Sequence, residues 1–272
     1  MEVEDNVRAI EVRRIIDPLP VYTMWLREMK RFLRVKARVV GSLLMPLFFL
    51  AFLGLPMSFM PAREIPGLKG TAYLDFLAPG IVGMTLLFAG TMSGASVIWD
   101  KEFGFLKEVL VAPVNRFSVI LGRSLGGMTT AIIQALVIVG IAVAMGVKLS
   151  SVSGFLLALV IMILTCATFT GFGLIIATKL GNLEGFMAIM NLIVFPIFFL
   201  SGALFPIQSM PSWLRYVMYI NPLTYGVDGL RGTLIGPAAA VFPLWLDFTV
   251  LLILCLALAT LGSYFFSKME AD

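Results

Sequence analysis

The residue types that usually carry catalysis are thinly spread in this chain, and one is missing. There is no histidine, which removes Ser/His nucleophilic pairs, histidine metal ligands and histidine proton relays. The two cysteines, Cys166 and Cys255, have no neighbouring cysteine to suggest a metal site. Paired carboxylates could hydrolyse a peptide bond inside a membrane, but Asp75, Asp100, Glu184 and Asp247 all fall at the edges of apolar runs. Nucleotide hydrolysis needs a phosphate-cradling G-x-x-x-x-G-K[ST] loop; the chain has none, and its glycines are scattered through apolar segments. What remains is a charged segment at 100–116, DKEFGFLKEVLVAPVNR. Phe103, Leu106 and Leu110 can share one helical face there, while Asp100, Lys101, Glu102, Lys107 and Glu108 offer charged contacts. Such a short helix could seat in a groove of a cytosolic partner and pass its motion onward. A solvated loop between two helices fits the same pattern.

The elements that must hold this segment are membrane-length. Hydrophobic residues make up 60% of the chain and charged ones 13%, a composition that excludes an ordinary soluble domain. Charge-free stretches run from Val39 to Ala62, Phe76 to Trp99, Ser124 to Val147, Leu149 to Thr178, Gly185 to Leu214 and Phe248 to Ser267. Each reaches the roughly 18–20 residues a helix needs to cross the hydrocarbon core, so six spans are expected. The uncharged stretch Gly232 to Leu246 is short and broken by Gly236, Pro237 and Pro243, which argues against a seventh. Because the runs are continuously apolar rather than alternating, helices fit and a barrel does not.

Six spans place both termini on one side. That side carries the basic residues from Arg8 to Arg38, then Lys101, Lys107, Arg116, Arg123, Lys179 and Lys268, whereas the other has Arg63, Lys69, Lys148, Arg215 and Arg231. The excess puts both termini and the segment 100–116 in the cytosol. The first apolar run follows a long charged lead, unlike a secretory leader. Residues 1–20 read as a mobile tail. Over 21–38, Tyr22, Trp25, Met29 and Phe32 recur at helical spacing beside a basic stripe of Arg27, Arg31, Arg34 and Arg38. That pairing predicts an amphipathic helix lying at the membrane interface, its arginines near anionic head groups. A basic flank that happens to be helical is the plainer alternative.

The run DKEFGFLKEVLVAPVNRFSVILGRSLGG resembles the first cytoplasmic loop of permeases of the ABC type 2 exporter family, a group that includes drug-resistance and lipo-oligosaccharide export subunits. The resemblance rests on Asp100, Lys101, Glu102, Gly104, Lys107, Glu108 and Pro113; Phe105 departs from it, standing where a small hydroxyl residue is frequent. A second block, FPIFFLSGALFPIQSMPSWLRYVMYINPLTYGVDGLRG at 195–232, is similar to the family's fifth span and the outer re-entrant segment that follows, with its Asn-Pro signature. Physical length agrees: as one helix, Gly185 to Leu214 would be about 45 Å long, against a core of roughly 30 Å. A break is therefore expected, with Gly202, Pro206 and Pro211 as breakers and Trp213, Tyr216 and Tyr219 as interfacial aromatics.

The resemblance implies an all-α integral membrane protein with six transmembrane helices. It also implies an N-terminal interfacial helix, a cytoplasmic coupling helix, and an extracellular re-entrant segment at 204–232 between spans 5 and 6. The permease domain would cover 39–268. Two copies would dimerise and engage two copies of a separate cytosolic ATPase that holds ATP and Mg; this chain would bind no cofactor and no nucleic acid. Asn221 and Pro222 read as structural, since Asn-Pro is also an ordinary turn initiator. Asp228 and Arg231 are spaced to pair on a helix, where an exposed pair would contribute at most about 1 kcal/mol. Gln134 and Asn191 could face a pathway, although helix packing explains them as simply. The expected cargo is a hydrophobic drug, lipid or lipid-linked glycan; a passive channel and a membrane-anchored scaffold are the competing classes.

Overall fold

The computed structural model describes residues 17–59, 68, 72–102, 116–180 and 182–267. Among the described residues the regular structure is entirely helical. Helix α1 is Pro18–Arg34, and α2, Lys36–Phe49, continues through a π-helical turn, Leu50–Gly54, into the short α3, Leu55–Ser58. Then come α4 (Tyr73–Met92), α5 (Ala95–Glu102), α6 (Arg116–Ala144), α7 (Val152–Lys179), α8 (Leu183–Phe199), α9 (Ser212–Ile220), α10 (Pro222–Leu234) and α11 (Leu244–Ser267).

Among the described residues, five helical segments are long and apolar enough to cross a membrane: Val39–Met57, Tyr73–Trp99, Phe117–Ala144, Val152–Lys179 and Leu244–Phe265. The expected fifth run is shorter as a helix than as a charge-free stretch, because α8 stops at Phe199 after 17 residues. The outer faces of these helices confirm the solvent they are built for. On α2 and its extension Val40, Leu44, Phe48 and Phe52 form an exposed apolar stripe, and α11 exposes Ile253, Leu256, Leu261 and Tyr264. Water would penalise such faces, whereas lipid accepts them provided the backbone is paired within the helix. The chain is a multi-pass membrane protein.

Helix α4 is the axis of the bundle, with most of Tyr73–Leu87 buried. It packs against α6, α7 and α10. Small residues allow the backbones to approach: a Cβ on Gly90 would lie 3.1 Å from the Cys166 carbonyl oxygen of α7, the close packing that replaces a hydrophobic driving force in lipid.

The N-terminal helix differs from its expected bounds. It starts at Pro18, not Val21, because Asp17 caps it, its side chain accepting from the Leu19 N–H at 3.2 Å, and because Pro18 stands in the first turn where a missing N–H is harmless. It ends at Arg34, and Val35 separates it from α2, which takes Lys36 and Arg38.

Candidate functional site

Helix α1 is fastened to the first turns of α6. The Asp17 N–H donates to Ser118 Oγ at 2.8 Å and Trp25 Nε1 donates to Thr129 Oγ1 at 3.1 Å. Two glycines of α6 make this possible, since a Cβ on Gly122 would collide with the Val21 backbone and one on Gly126 would lie 2.6 Å from Glu28 Cβ. The contacts turn the helix away from the expected stripe: its buried positions are Met24, Glu28 and Phe32, at four-residue spacing, while Tyr22 is exposed and Trp25 and Met29 are half-buried. Helical period alone marks which residues share a face; the groove offered by α6 decides which face is covered. Of the basic stripe, Arg31 stacks over the Trp99 ring at 4.8 Å, Arg34 is exposed and Arg27 is half-buried.

Between α1, α2, α4, α5, α6 and α8 lies a cavity of about 380 Å³. Its walls are mainly apolar, with Phe32, Met45, Met84, Phe88, Met92, Trp99 and Met187, and its polar groups are Glu28, Ser42, Thr85, Ser93, Ser96, Thr130 and Gln134. A mostly apolar concavity with a few convergent polar groups is the usual form of a small-molecule site. Gln134, expected from sequence as a possible pathway residue, is buried and lines it. Asn191 does not; it projects from an exposed face of α8.

The opposite end of α4 is closed by the segment after α8. The chain turns at Gly202, whose φ of 75° favours glycine. Pro206 opens a 3₁₀ turn, Ile207–Ser209, and Pro211 precedes α9. Asn221 caps two helices at once: its Oδ1 accepts from the Leu223 N–H of α10 at 3.0 Å, and its Nδ2 donates at 2.6 Å to the Ile197 carbonyl in the last turn of α8. Pro222 follows as the first residue of α10, where its fixed φ suits a helix start.

Arg231 is the hub of this end and is fully enclosed. Its Nη2 donates to the Phe76 carbonyl at 3.2 Å and the Gly202 carbonyl at 3.1 Å, and its guanidinium lies 3.8 Å over the Phe76 ring. Asp228 is 4.0 Å away and accepts from the backbone N–H groups of Val241 and Phe242. Sequence spacing allows the pair on a helix but leaves its exposure open; in the structure both side chains are no more than 2% accessible. Asp228 supplies a counter-charge to the enclosed guanidinium. Four chain segments thus meet on one ion pair: the start of α4, the turn after α8, α10 and the strap leading to α11.

The cavity and this closure are stacked along α4. The closing segment touches its first turns, through Phe76, Gly80 and Gly83, and the cavity begins at Met84. Of the expected coupling residues, Asp100, Lys101 and Glu102 end α5, one turn beyond the cavity residue Trp99. Phe103, Gly104, Leu106, Lys107, Glu108 and Leu110 lie outside the described residues. Sequence reasoning did not single out Glu28, and although it placed Asp247 rightly at a span edge, in the first turn of α11, it did not foresee that the side chain is fully enclosed. An acid inside an otherwise apolar helical stripe was the available signal for Glu28.

Comparison with known proteins agrees with this architecture. A family model described as ABC-2 type transporter matches residues 20–235. The ycf38 protein of Cyanophora paradoxa, named as a transport permease, is 33% identical over 205 residues, covering 74% of this chain and 70% of its own. Nodulation protein J of Rhizobium meliloti (strain 1021) is 27% identical over 202 residues, 74% of this chain and 75% of its own. The inner membrane transport permease YadH of Escherichia coli (strain K12) is 24% identical over 217 residues, 79% and 82% of the two chains. The match spans the first apolar helix, the cavity walls and the closing segment alike, and by it the chain belongs to the ABC-2 type transporter family of membrane permeases.

Proposed function

We propose that this chain is the transmembrane subunit of an ATP-driven exporter, forming a translocation pathway with a second copy of itself and driven by two copies of a separate cytosolic ABC ATPase that supply the ATP and Mg sites. The observation that carries the reading is the stacking along α4: an apolar cavity toward the α5 end, and beyond it a closure built from short helices and a turn. A pathway that alternates its access needs both parts in that order.

The end bearing α1 and α5 is the cytosolic one, because basic residues concentrate there, and both termini lie on that side. Helix α8 rises about 25 Å at 1.5 Å per residue, just short of the roughly 30 Å core. Its membrane crossing is therefore completed by the turn after Phe199, with 204–232 re-entering from outside, which makes six spans. Non-helical backbone at that depth is tolerated because Arg231, Asn221 and Asp228 pair with it. Helix α1 serves as the interfacial helix, with Lys30 and Arg34 exposed toward head groups. The exposed Asn191 of α8 faces the second copy or the pathway rather than lipid, where an amide would be costly. ATP-driven closure of the ATPase dimer would push on 100–116, and α5 passes the movement to Trp99 and the cavity wall. A hydrophobic drug, lipid or lipid-linked glycan suits a cavity lined by Met and Phe side chains.

The test is co-purification with an ATPase carrying a phosphate loop and reconstitution of the pair in liposomes. ATP hydrolysis stimulated by the permease and ATP-dependent cargo movement are expected. Ion conductance from the chain alone, with no associated ATPase, would identify a passive channel, and neither flux nor stimulation would leave only a scaffold.

A further inference from the structure

Helix α11 seats on α7 and leaves a trough between itself and α6. Glycines bring the two helices together: a Cβ on Gly171 would lie 2.9 Å from the Leu258 carbonyl carbon, and one on Gly262 would lie 3.2 Å from Leu174 Cδ2. The trough encloses about 450 Å³, with α7 as its floor. Among the described residues that line it none is ionisable. Thr260 returns its hydroxyl to its own helix, donating to the Leu256 and Ala257 carbonyls at 2.8 and 2.9 Å, and so leaves its methyl to the trough. Such a lining accepts hydrocarbon and penalises a charged body.

Length decides what kind of hydrocarbon. Along α6 the trough runs from Phe117 to Met128, a rise of about 16 Å at 1.5 Å per residue, or half of the roughly 30 Å core. A packed transmembrane helix would need a groove of the full thickness. One leaflet's depth fits an acyl chain, whose methylenes recover the contacts that an unfilled trough forfeits.

The mouth is cationic. Lys179 ends α7 with its ammonium 4.3 Å from the centre of the Phe265 ring of α11, so the charge sits between the two helices, one to two turns past Leu174 at the trough's wall. Arg116 opens α6 at the same end, whereas the acid within α6, α7 and α11 is Asp247, at the far end of α11. A lysine at this level reaches head groups rather than chains.

We infer that the trough binds one acyl chain of an anionic glycerophospholipid, whose head-group phosphate is met by Lys179. The site goes beyond the transport reading and rests on it only for the side, the cytosolic leaflet.

The experiment is native mass spectrometry of the purified full-length chain in detergent with dioleoyl phosphatidylglycerol, and dioleoyl phosphatidylcholine in parallel. A phosphatidylglycerol carrying a mid-chain diazirine maps the contact. Saturable retention that favours phosphatidylglycerol, with adducts on peptides containing 117–128 and 259–263, is expected. Ala259→Phe and Ala167→Phe fill the trough and should weaken retention on the order of tenfold, the scale of about two methylenes left unburied. Lys179→Gln should weaken phosphatidylglycerol by about two- to fivefold, the scale of an exposed ion pair, and leave phosphatidylcholine unchanged. Ile253→Phe adds the same ring on an exposed face of α11 outside the trough and should bind as the wild type does. Ala259 is exposed, so its variant keeps the test open if Ala167→Phe fails to fold. Retention indifferent to both fillings, equal affinity for the two lipids, or adducts spread evenly over the exposed faces of α2 and α11 would overturn the inference. So would efficient maleimide cross-linking of two Thr260→Cys chains, absent from the wild type, which would assign the trough to a second copy. Sidedness is scored separately, by labelling Lys179→Cys in intact cells with an impermeant maleimide. Labelling from outside retires the orientation and leaves the lipid site; protection with no lipid retention does the reverse.

Discussion

Arg231→Met should destabilise the closed end more than any exposed arginine change. The side chain is 2% accessible and makes hydrogen bonds to the carbonyls of Phe76 and Gly202, a cation–π contact with the Phe76 ring, and an ion pair with Asp228. Methionine fills much of the same volume but offers no donor, so two buried carbonyls lose a partner, at about 1–3 kcal/mol each. Asp228 loses its counter-charge but keeps the Val241 and Phe242 N–H groups, which limits the added penalty. These terms overlap, and breaking a buried pair by removing one partner costs about 3–5 kcal/mol, which we take as the net. At about 2–4 °C per kcal/mol for a chain of this size class, the melting temperature should fall by about 6–20 °C. Fluorescence-detected gel filtration after heating, in one detergent, reads this directly. Arg215→Met is the control, because among the described residues Arg215 bonds a single backbone carbonyl, that of Met210, in a partly exposed setting. Arg231→Lys should recover only part of the loss, since an ammonium cannot reproduce the planar fork over the ring. If Arg231→Met melts within about 2 °C of the wild type, or no lower than Arg215→Met, Arg231 is not the hub, on the scale set by these costs.

Three further outcomes follow from the same geometry. Asn221→Ala removes the cap of α10 and leaves the Ile197 carbonyl unpaired, for about 2–4 kcal/mol together; Asn182→Ala, an exposed cap on Gly185 only, should cost less in the same melting assay, and the reverse order would contradict the double-cap role. Gly122→Val drives a side chain into the Val21 backbone and should cost about 1–3 kcal/mol as α1 is levered off α6; Gly140→Val, whose Cβ meets open space, should be near neutral, and equal losses would show that α1 is not seated on that groove. The charge reversal Glu102→Lys with Lys107→Glu should abolish permease-stimulated ATP hydrolysis while the melting temperature holds, and full stimulation would refute the coupling role of 100–116.

Membrane residence was legible without a structure, because a chain that must satisfy its own backbone in lipid does so by long charge-free helices, and these are visible as uninterrupted apolar runs. The break after the fifth run was also legible, since a 30-residue stretch at 185–214 exceeds the bilayer and contains Gly202, Pro206 and Pro211. Asn221 and Pro222 announced a turn for the same local reason: capping and fixed φ are properties of adjacent residues.

Local rules end where one helix must choose a neighbour. The stripe Tyr22, Trp25, Met29, Phe32 is periodic, but the small residues Gly122 and Gly126, a hundred positions away, select Met24, Glu28 and Phe32 as the covered face. Asp228 and Arg231 sit three apart whether exposed or buried; only the arrival of Phe76, Gly202 and the strap at 241–242 turns a weak surface pair into an enclosed hub. The sequence by itself therefore determined the solvent, the apolar helices and the local breaks between them, which depend on neighbouring residues. The tertiary structure decided which acid and which arginine are buried and where the cavity lies, because desolvation and cavity shape arise from atoms brought together across the whole chain.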